Sequence, residues 1–300
     1  MPNASFAFDE MLEARTEPDV SVAFWSASDH VQLAYYPFCM PQARASLLML
    51  HGGGAHSLLG YVSFAKTLRD TWGVNVYLMD LRGHGQSGGG RGDCPEPRTV
   101  WMDIRLAITK IRQEQHRPIL LGGHSSGSGL LLNYASWARR ARVEGYVMIA
   151  PELGYRAGVA RIGRTPFATV HYGAFLWHSV TAGFLGGHAP AVFLNYPEAI
   201  LQKNPSIVSR LTVHMANALT PQHPLHQFAQ IREPLGLWIG ENDELFDPDK
   251  VLALMDLPDR KHAVSQAYVV PHARHLSVLL KAGDDVGKWI HRLLDLQPVP

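Results

Sequence analysis

No part of this chain restricts its fold more than Ile119-Leu120-Leu121-Gly122-Gly123-His124-Ser125-Ser126-Gly127. A short apolar run leads into Gly-x-Ser-x-Gly, and Leu130, Leu131, Leu132, Tyr134 and Trp137 follow in a segment long enough for a helix. A bare motif of this kind is an ordinary turn in many glycine-rich chains. Between a buried strand and a helix it reads as an elbow that lifts Ser125 out of a strained backbone as a candidate nucleophile. Gly123 and Gly127 then stand where a Cβ would collide with the neighbouring strand or helix. The backbone N–H of Ser126 falls at the helix start, where a free donor and the helix dipole both favour negative charge.

The surrounding chain alternates two periodicities. Ser21–Trp25 and Val31–Phe38 read as strands of an opening hairpin, and Ser46–Leu50 as a strand covered on both faces. It runs into His51-Gly52-Gly53-Gly54, where the lack of side chains lets backbone N–H groups approach a ligand. Tyr61, Phe64, Ala65, Leu68 and Trp72 fall at helical spacing before Gly73; Val74–Met79 is a strand; Val100, Ile104, Ala107, Ile108 and Ile111 mark another helix. After the elbow comes the strand Gly145–Ala150. Strand and helix in turn predict a mostly parallel sheet with helices on both faces, an α/β fold.

Three motifs in order carry a family resemblance: His51-Gly52-Gly53-Gly54, Asp80-Leu81-Arg82-Gly83-His84-Gly85-Gln86-Ser87 and Gly123-His124-Ser125-Ser126-Gly127. The chain resembles the α/β-hydrolase superfamily, closest to its monoacylglycerol lipase, lysophospholipase and serine aminopeptidase branch. The resemblance implies an α/β-hydrolase core over 1–152 and 231–300, with an inserted, mainly helical cap over 153–230. In the Asp-x-Arg-Gly-His-Gly turn, Asp80 and Arg82 are expected to pair locally, and His84 to serve scaffold rather than chemistry.

A serine hydroxyl needs a base to attack an acyl carbon at neutral pH, and the base needs a carboxylate to fix its tautomer. The resemblance implies the chain order serine, acid, histidine, on loops after late strands. Leu235–Gly240 and Ala267–Val270 are such strands. The carboxylates after the first are Glu241, Asp243, Glu244 and Asp247, of which the family's placement favours Asp243 as the acid. The histidines after the second are His272 and His275, of which it favours His275 as the base. Gly53 and Ser126 become the backbone donors of an oxyanion hole.

The inserted stretch is aromatic, with Tyr155, Phe167, Tyr172, Phe175, Trp177, Phe184, Phe193 and Tyr196, read mostly as packing of cap on core and in part as an acyl-binding roof. It is also basic, with Arg156, Arg161, Arg164, Lys203 and Arg210 against Glu198. Its six histidines lack the spacing of a metal site, so neither metal nor cofactor is expected.

The 300 residues carry a formal charge of +1, which argues against a nucleic-acid partner. Met1–Val20 has no apolar core of signal-peptide length, and the only cysteines are Cys39 and Cys94, so a cytoplasmic protein with reduced thiols is expected. The function that these features imply is a serine hydrolase cleaving a carboxylic ester, lipid-like or of medium acyl length, with transient lipid-interface contact through the cap. Amide or peptide hydrolysis, as in serine aminopeptidases, and a non-catalytic receptor or scaffold on the same fold are the alternatives.

Overall fold

The computed structural model describes residues 20–164, 166–257 and 264–296; the stretch 1–19, in which no signal peptide was read, lies outside them. In chain order the core opens with β1 (Ala23–Ser26), β2 (Gln32–Phe38), β3 (Ala45–Leu50), α1 (Val62–Trp72), β4 (Val74–Met79), α2 (Pro97–Gln115), β5 (Ile119–His124), α3 (Ser126–Ala135) and β6 (Gly145–Ile149). The insertion holds β7 (Ala168–Val170), α4 (Tyr172–Val180), β8 (Pro190–Leu194), α5 (Glu198–Lys203), β9 (Arg210–Thr212), α6 (Val213–Leu219) and α7 (Pro224–Ala229). The core resumes with β10 (Leu235–Gly240), α8 (Pro248–Leu252), β11 (Gln266–Val270), α9 (Val278–Lys281) and α10 (Gly283–Leu296).

The main sheet has the order β1-β2-β4-β3-β5-β6-β10-β11. β2 runs antiparallel to β1 and β4, and every other neighbouring pair is parallel. The five middle strands β4, β3, β5, β6 and β10 are buried at every position. That is the reason they read as continuous apolar runs rather than as alternating ones. The helices pack in two groups, α1 with α9 and α10, and α2 with α3 and α6. α10 buries Val286, Trp289, Ile290, Leu293 and Leu294, the residues whose spacing predicts it. α1 stops at Gly73, which turns left-handed (φ 59°) and donates its N–H to the Arg69 carbonyl.

Parallel topology places the C-terminal ends of β5, β6, β10 and β11 along one edge. β5 and β11 are three strand spacings apart, about 14 Å. A side chain after β11 therefore meets one after β5 only if its loop reaches back over the sheet edge. Gly240 permits this, because a Cβ there would lie 2.4 Å from the Ala273 carbonyl oxygen. The Asn242 N–H donates to that same oxygen at 2.9 Å and laces the two loops together.

The structure departs from the sequence reading in three places. The insertion contains a three-stranded antiparallel sheet, β7-β8-β9, beside its helices; strands of three to five residues are too short to show a period of two. Arg82 pairs not with Asp80 but with Asp103 (2.8 Å) and Asp29 (2.6 Å). Asp80 instead accepts the N–H groups of Ser57 and Gln86, at 2.7 and 2.8 Å. Tyr155, Tyr172, Trp177 and Phe184 are not packing residues, with exposures of 79%, 72%, 56% and 88%.

Arg82 and Asp103 are both buried, and burying a charge is costly unless its partner stays. Replacing Asp103 by Ala is expected to destabilise the fold by about 3 to 5 kcal/mol, measured as a lowered urea midpoint at unchanged slope.

Candidate active site

Ser125 sits between β5 and α3 with φ 53° and ψ −122°. Its N–H donates to the Ile149 carbonyl at 2.9 Å, and its own carbonyl accepts from Ser128 and Glu152. The strain persists because the flanks leave no alternative. A Cβ on Gly123 would lie 2.4 Å from the Gly127 backbone, and one on Gly127 would lie 2.5 Å from the Leu50 carbonyl oxygen. Ser128, small enough for the same corner, bonds the Gly123 carbonyl through its hydroxyl at 2.6 Å.

The structure brings the three expected side chains together. The Ser125 hydroxyl lies 3.0 Å from His275 Nε2, and His275 Nδ1 lies 2.9 Å from Asp243 Oδ2. A carboxylate only accepts, so Nδ1 carries the ring hydrogen and Nε2 is left to accept from Ser125. The other Asp243 oxygen accepts the N–H groups of Leu245 and Phe246, both at 2.8 Å. Burial pushes the Asp243 carboxyl up, but the His275 charge and hydrogen bond, with those two N–H groups, hold it below the usual value. Burial pulls His275 down; the Asp243 charge and hydrogen bond, with lesser help from Glu244 and Glu152, outweigh it and raise the imidazole above its ordinary value of 6.5.

The other carboxylates and histidine of these loops are otherwise occupied. Glu244 accepts the backbone N–H of His275 at 2.9 Å, and Glu241 that of His272 at 2.8 Å. Asp247 caps α8. His272 is exposed, with Nδ1 3.5 Å from Glu241, and His84 is buried with Nδ1 on the Arg82 carbonyl.

Gly53 and Ser126 flank Ser125 on the remaining side, with Gly53 so close that a Cβ there would lie 3.1 Å from Ser126 Oγ. Among the described residues neither backbone N–H donates to another group. Three residues that sequence reasoning passed over hold this loop. His51 Nε2 accepts from the Leu81 N–H at 3.0 Å, which leaves Nδ1–H to donate to the Gly52 carbonyl at 2.9 Å. The Gly52 N–H donates to the Tyr61 hydroxyl (2.8 Å), which donates to His124 Nδ1 (2.9 Å), and His124 Nε2–H donates to the His275 carbonyl (3.0 Å). Burial pushes His51 and His124 down to about 3, so both rings are neutral and their tautomers fixed. Their positions within the two glycine motifs were the available signal.

The pocket over Ser125 is lined by Ala55, Leu59, Phe167, Tyr196 and Leu276 beside the polar groups, and its volume is about 30 Å³. A larger open cleft, about 510 Å³, lies at the far end of α3 between Trp101, Trp137 and Gln222 and shares no lining residue with it. Among the described residues no group of three or more His, Cys, Asp or Glu side chains is arranged to hold a metal ion.

A hydroxyl bonded to an imidazole that a buried carboxylate orients can add to an acyl carbon, and unengaged N–H groups beside it can receive the resulting oxyanion. The chain is similar in part to known proteins. Protein phosphatase methylesterase 1 of Bos taurus is 31% identical over 90 residues, 30% of this chain and 23% of that protein. A putative monoglyceride lipase of Schizosaccharomyces pombe is 32% identical over 114 residues, 36% of this chain and 29% of that protein. The chain thus spans less than a third of the length of either relative. A soluble variant of monoglyceride lipase from Saccharomyces cerevisiae, solved with a substrate analog, superposes with a TM-score of 0.67 at 17% identity over 98% of this chain and 99% of that one, a likeness of fold. The family described as serine aminopeptidase, S33, matches residues 41–279, and the chain belongs to that family of α/β hydrolases.

Proposed function

We propose that this α/β hydrolase cleaves a carboxylic ester through an acyl-serine intermediate, with Ser125, His275 and Asp243 as its catalytic triad. The observation that carries the reading is the unbroken chain from Ser125 Oγ through His275 to Asp243, at 3.0 and 2.9 Å, beside the free N–H groups of Gly53 and Ser126. Ser125 Oγ bonds the acyl carbon while its proton passes to His275 Nε2. The carbonyl electron pair moves onto oxygen, which the two N–H groups receive. Collapse breaks the C–O bond, and the leaving alkoxide takes the proton from His275. A water molecule then repeats the sequence against the acyl-serine. Asp243 stays ionised throughout and stabilises the imidazolium.

The pocket walls favour an ester of an apolar acyl group over a peptide. An aminopeptidase holds a free α-amine, which requires a carboxylate facing the scissile bond. Among the described residues no acidic side chain lines the Ser125 pocket, and Glu198 of the insertion is exposed on α5. A cavity of about 30 Å³ holds one or two water molecules. A lipid-like or medium acyl chain therefore enters when the Phe167 ring shifts. Transient contact with a lipid interface goes with this reading, supported by Tyr172, Leu176, Trp177, Val180 and Phe184, all more than half exposed on α4 and the turn after it. A cytoplasmic location goes with it too, supported by unpaired Cys39 and Cys94; among the described residues no helix is long and apolar enough to cross a membrane.

Against p-nitrophenyl acyl esters of rising chain length, Ser125→Ala is expected to lower kcat by about 10⁶, and equal rates would refute the acyl-serine. Release of proline from prolyl-β-naphthylamide at a comparable rate would move the assignment to peptide hydrolysis. His275 must be neutral to accept the proton, and its folded pKa is raised. Activity is therefore lost at low pH and climbs through a midpoint above the ordinary 6.5. Asp243→Asn removes the main raising influence and leaves the pull of burial, so the midpoint falls while kcat drops by about 10⁴. A pH–rate profile of both proteins measures the two effects together.

A further inference from the structure

We infer that Tyr196, in the insertion, is a positioning residue that aims the Gly53 N–H at the oxyanion; this rests on the role proposed above for Gly53. Gly52, Gly53 and Gly54 follow one another without a Cβ to restrict their torsions, so the direction of each peptide plane is set by what its polar groups bond. The core fixes one side. The Gly52 N–H is taken by Tyr61, and the Gly52 carbonyl by His51 and by the Ala55 N–H. The insertion fixes the other. The Tyr196 hydroxyl donates to the Gly53 carbonyl at 2.8 Å, and the Val208 N–H donates to the Gly54 carbonyl at 2.8 Å.

Gly53 thus lies between two peptide planes held from opposite sides, one by core and one by insertion. Its N–H shares the first plane with the Gly52 carbonyl and its carbonyl lies in the second; the planes hinge at the Gly53 Cα, so the Tyr196 bond acts on the N–H by fixing that hinge. Tyr196 is itself braced. Phe167 meets its ring edge-on with centroids 4.9 Å apart, and the Asn195 N–H donates to the Phe167 carbonyl at 2.8 Å. Gly54 fits beneath with φ +71°, where a Cβ would lie 2.2 Å from the Val208 carbonyl oxygen and 3.1 Å from Tyr196 Cε2. Nothing larger than glycine lets the two segments close. The roof and the oxyanion donor are therefore one mechanical unit: the donor is correctly aimed when the insertion is seated and the Tyr196 hydroxyl keeps its bond.

Tyr196→Phe keeps the ring and removes the bond. On p-nitrophenyl butyrate it is expected to lower kcat about tenfold while KM stays within about twofold, a fraction of the loss that removal of a whole donor brings. An alkyl trifluoromethyl ketone, whose adduct on Ser125 carries an oxyanion, should lose affinity in the same proportion. Butan-1-ol, an uncharged competitor of the same chain length, should inhibit Tyr196→Phe as it inhibits the wild type. Wild-type kcat and ketone affinity would overturn the inference. So would a rise in KM alone, which marks a wall of the acyl site, or a lowered melting temperature with butan-1-ol weakened equally, which marks a structural part. Ser125→Ala run in parallel separates the two claims: if it turns over p-nitrophenyl butyrate like the wild type, the ester-hydrolase reading fails; if it is dead and Tyr196→Phe is unchanged, only the role of Tyr196 does.

Discussion

The approach of α3 to the end of β3 is the contact on which the rest of the structure depends. Gly127 lies so close to the Leu50 and His51 carbonyl oxygens that a Cβ there would stand 2.5 and 2.7 Å from them. Only with the helix pressed in this far does the chain leave β5 with Ser125 at φ 53°, a conformation costing of order 1 to 3 kcal/mol. The strain is held by bonds to β6 and by the buried sheet beneath, and its product is a hydroxyl standing clear of the backbone with a helix N-terminus beside it. Moving α3 outward would relax Ser125 and part the Ser126 N–H from the Gly53 N–H together.

Around that contact the polar groups form a buried network with few degrees of freedom. His51 and His124 are neutral because burial penalises their charged forms, and each has one nitrogen facing a donor and the other facing a carbonyl. His275 is as buried, yet its pKa moves the other way because Asp243 lies 2.9 Å from its ring. One charged neighbour thus sets the proposed proton acceptor apart from two neutral rings of the same chemistry. His124 also joins the two halves of the site, since it takes its bond from Tyr61 beside Gly52 and gives one to the His275 backbone.

The insertion divides by function of its parts. α6 and α7 pack on α3 and belong mechanically to the core. The segment from Phe167 to Val208 reaches the glycine loop and closes the pocket, while α4 buries none of its residues and turns large apolar side chains outward. The same stretch of sequence thus supplies a brace, a roof and an apolar outer surface.

The elbow, the glycine loop, the parallel alternation and the order of Ser125, Asp243 and His275 were legible in the residues because each rests on local chemistry: glycine where a Cβ cannot fit, apolar runs where both faces are covered, a loop after each strand. Asp243 stood among four carboxylates and His275 beside His272, and local pattern could not separate them. The family likeness favoured Asp243 and His275, and their meeting depends on a loop after β11 reaching back across β10 and β6. The short strands of the insertion, the partner of Arg82 and the bond from Tyr196 to Gly53 were decided only in three dimensions. Each joins residues that are not near neighbours in the chain, and a pairing of that kind leaves no period or spacing in the sequence from which to read it.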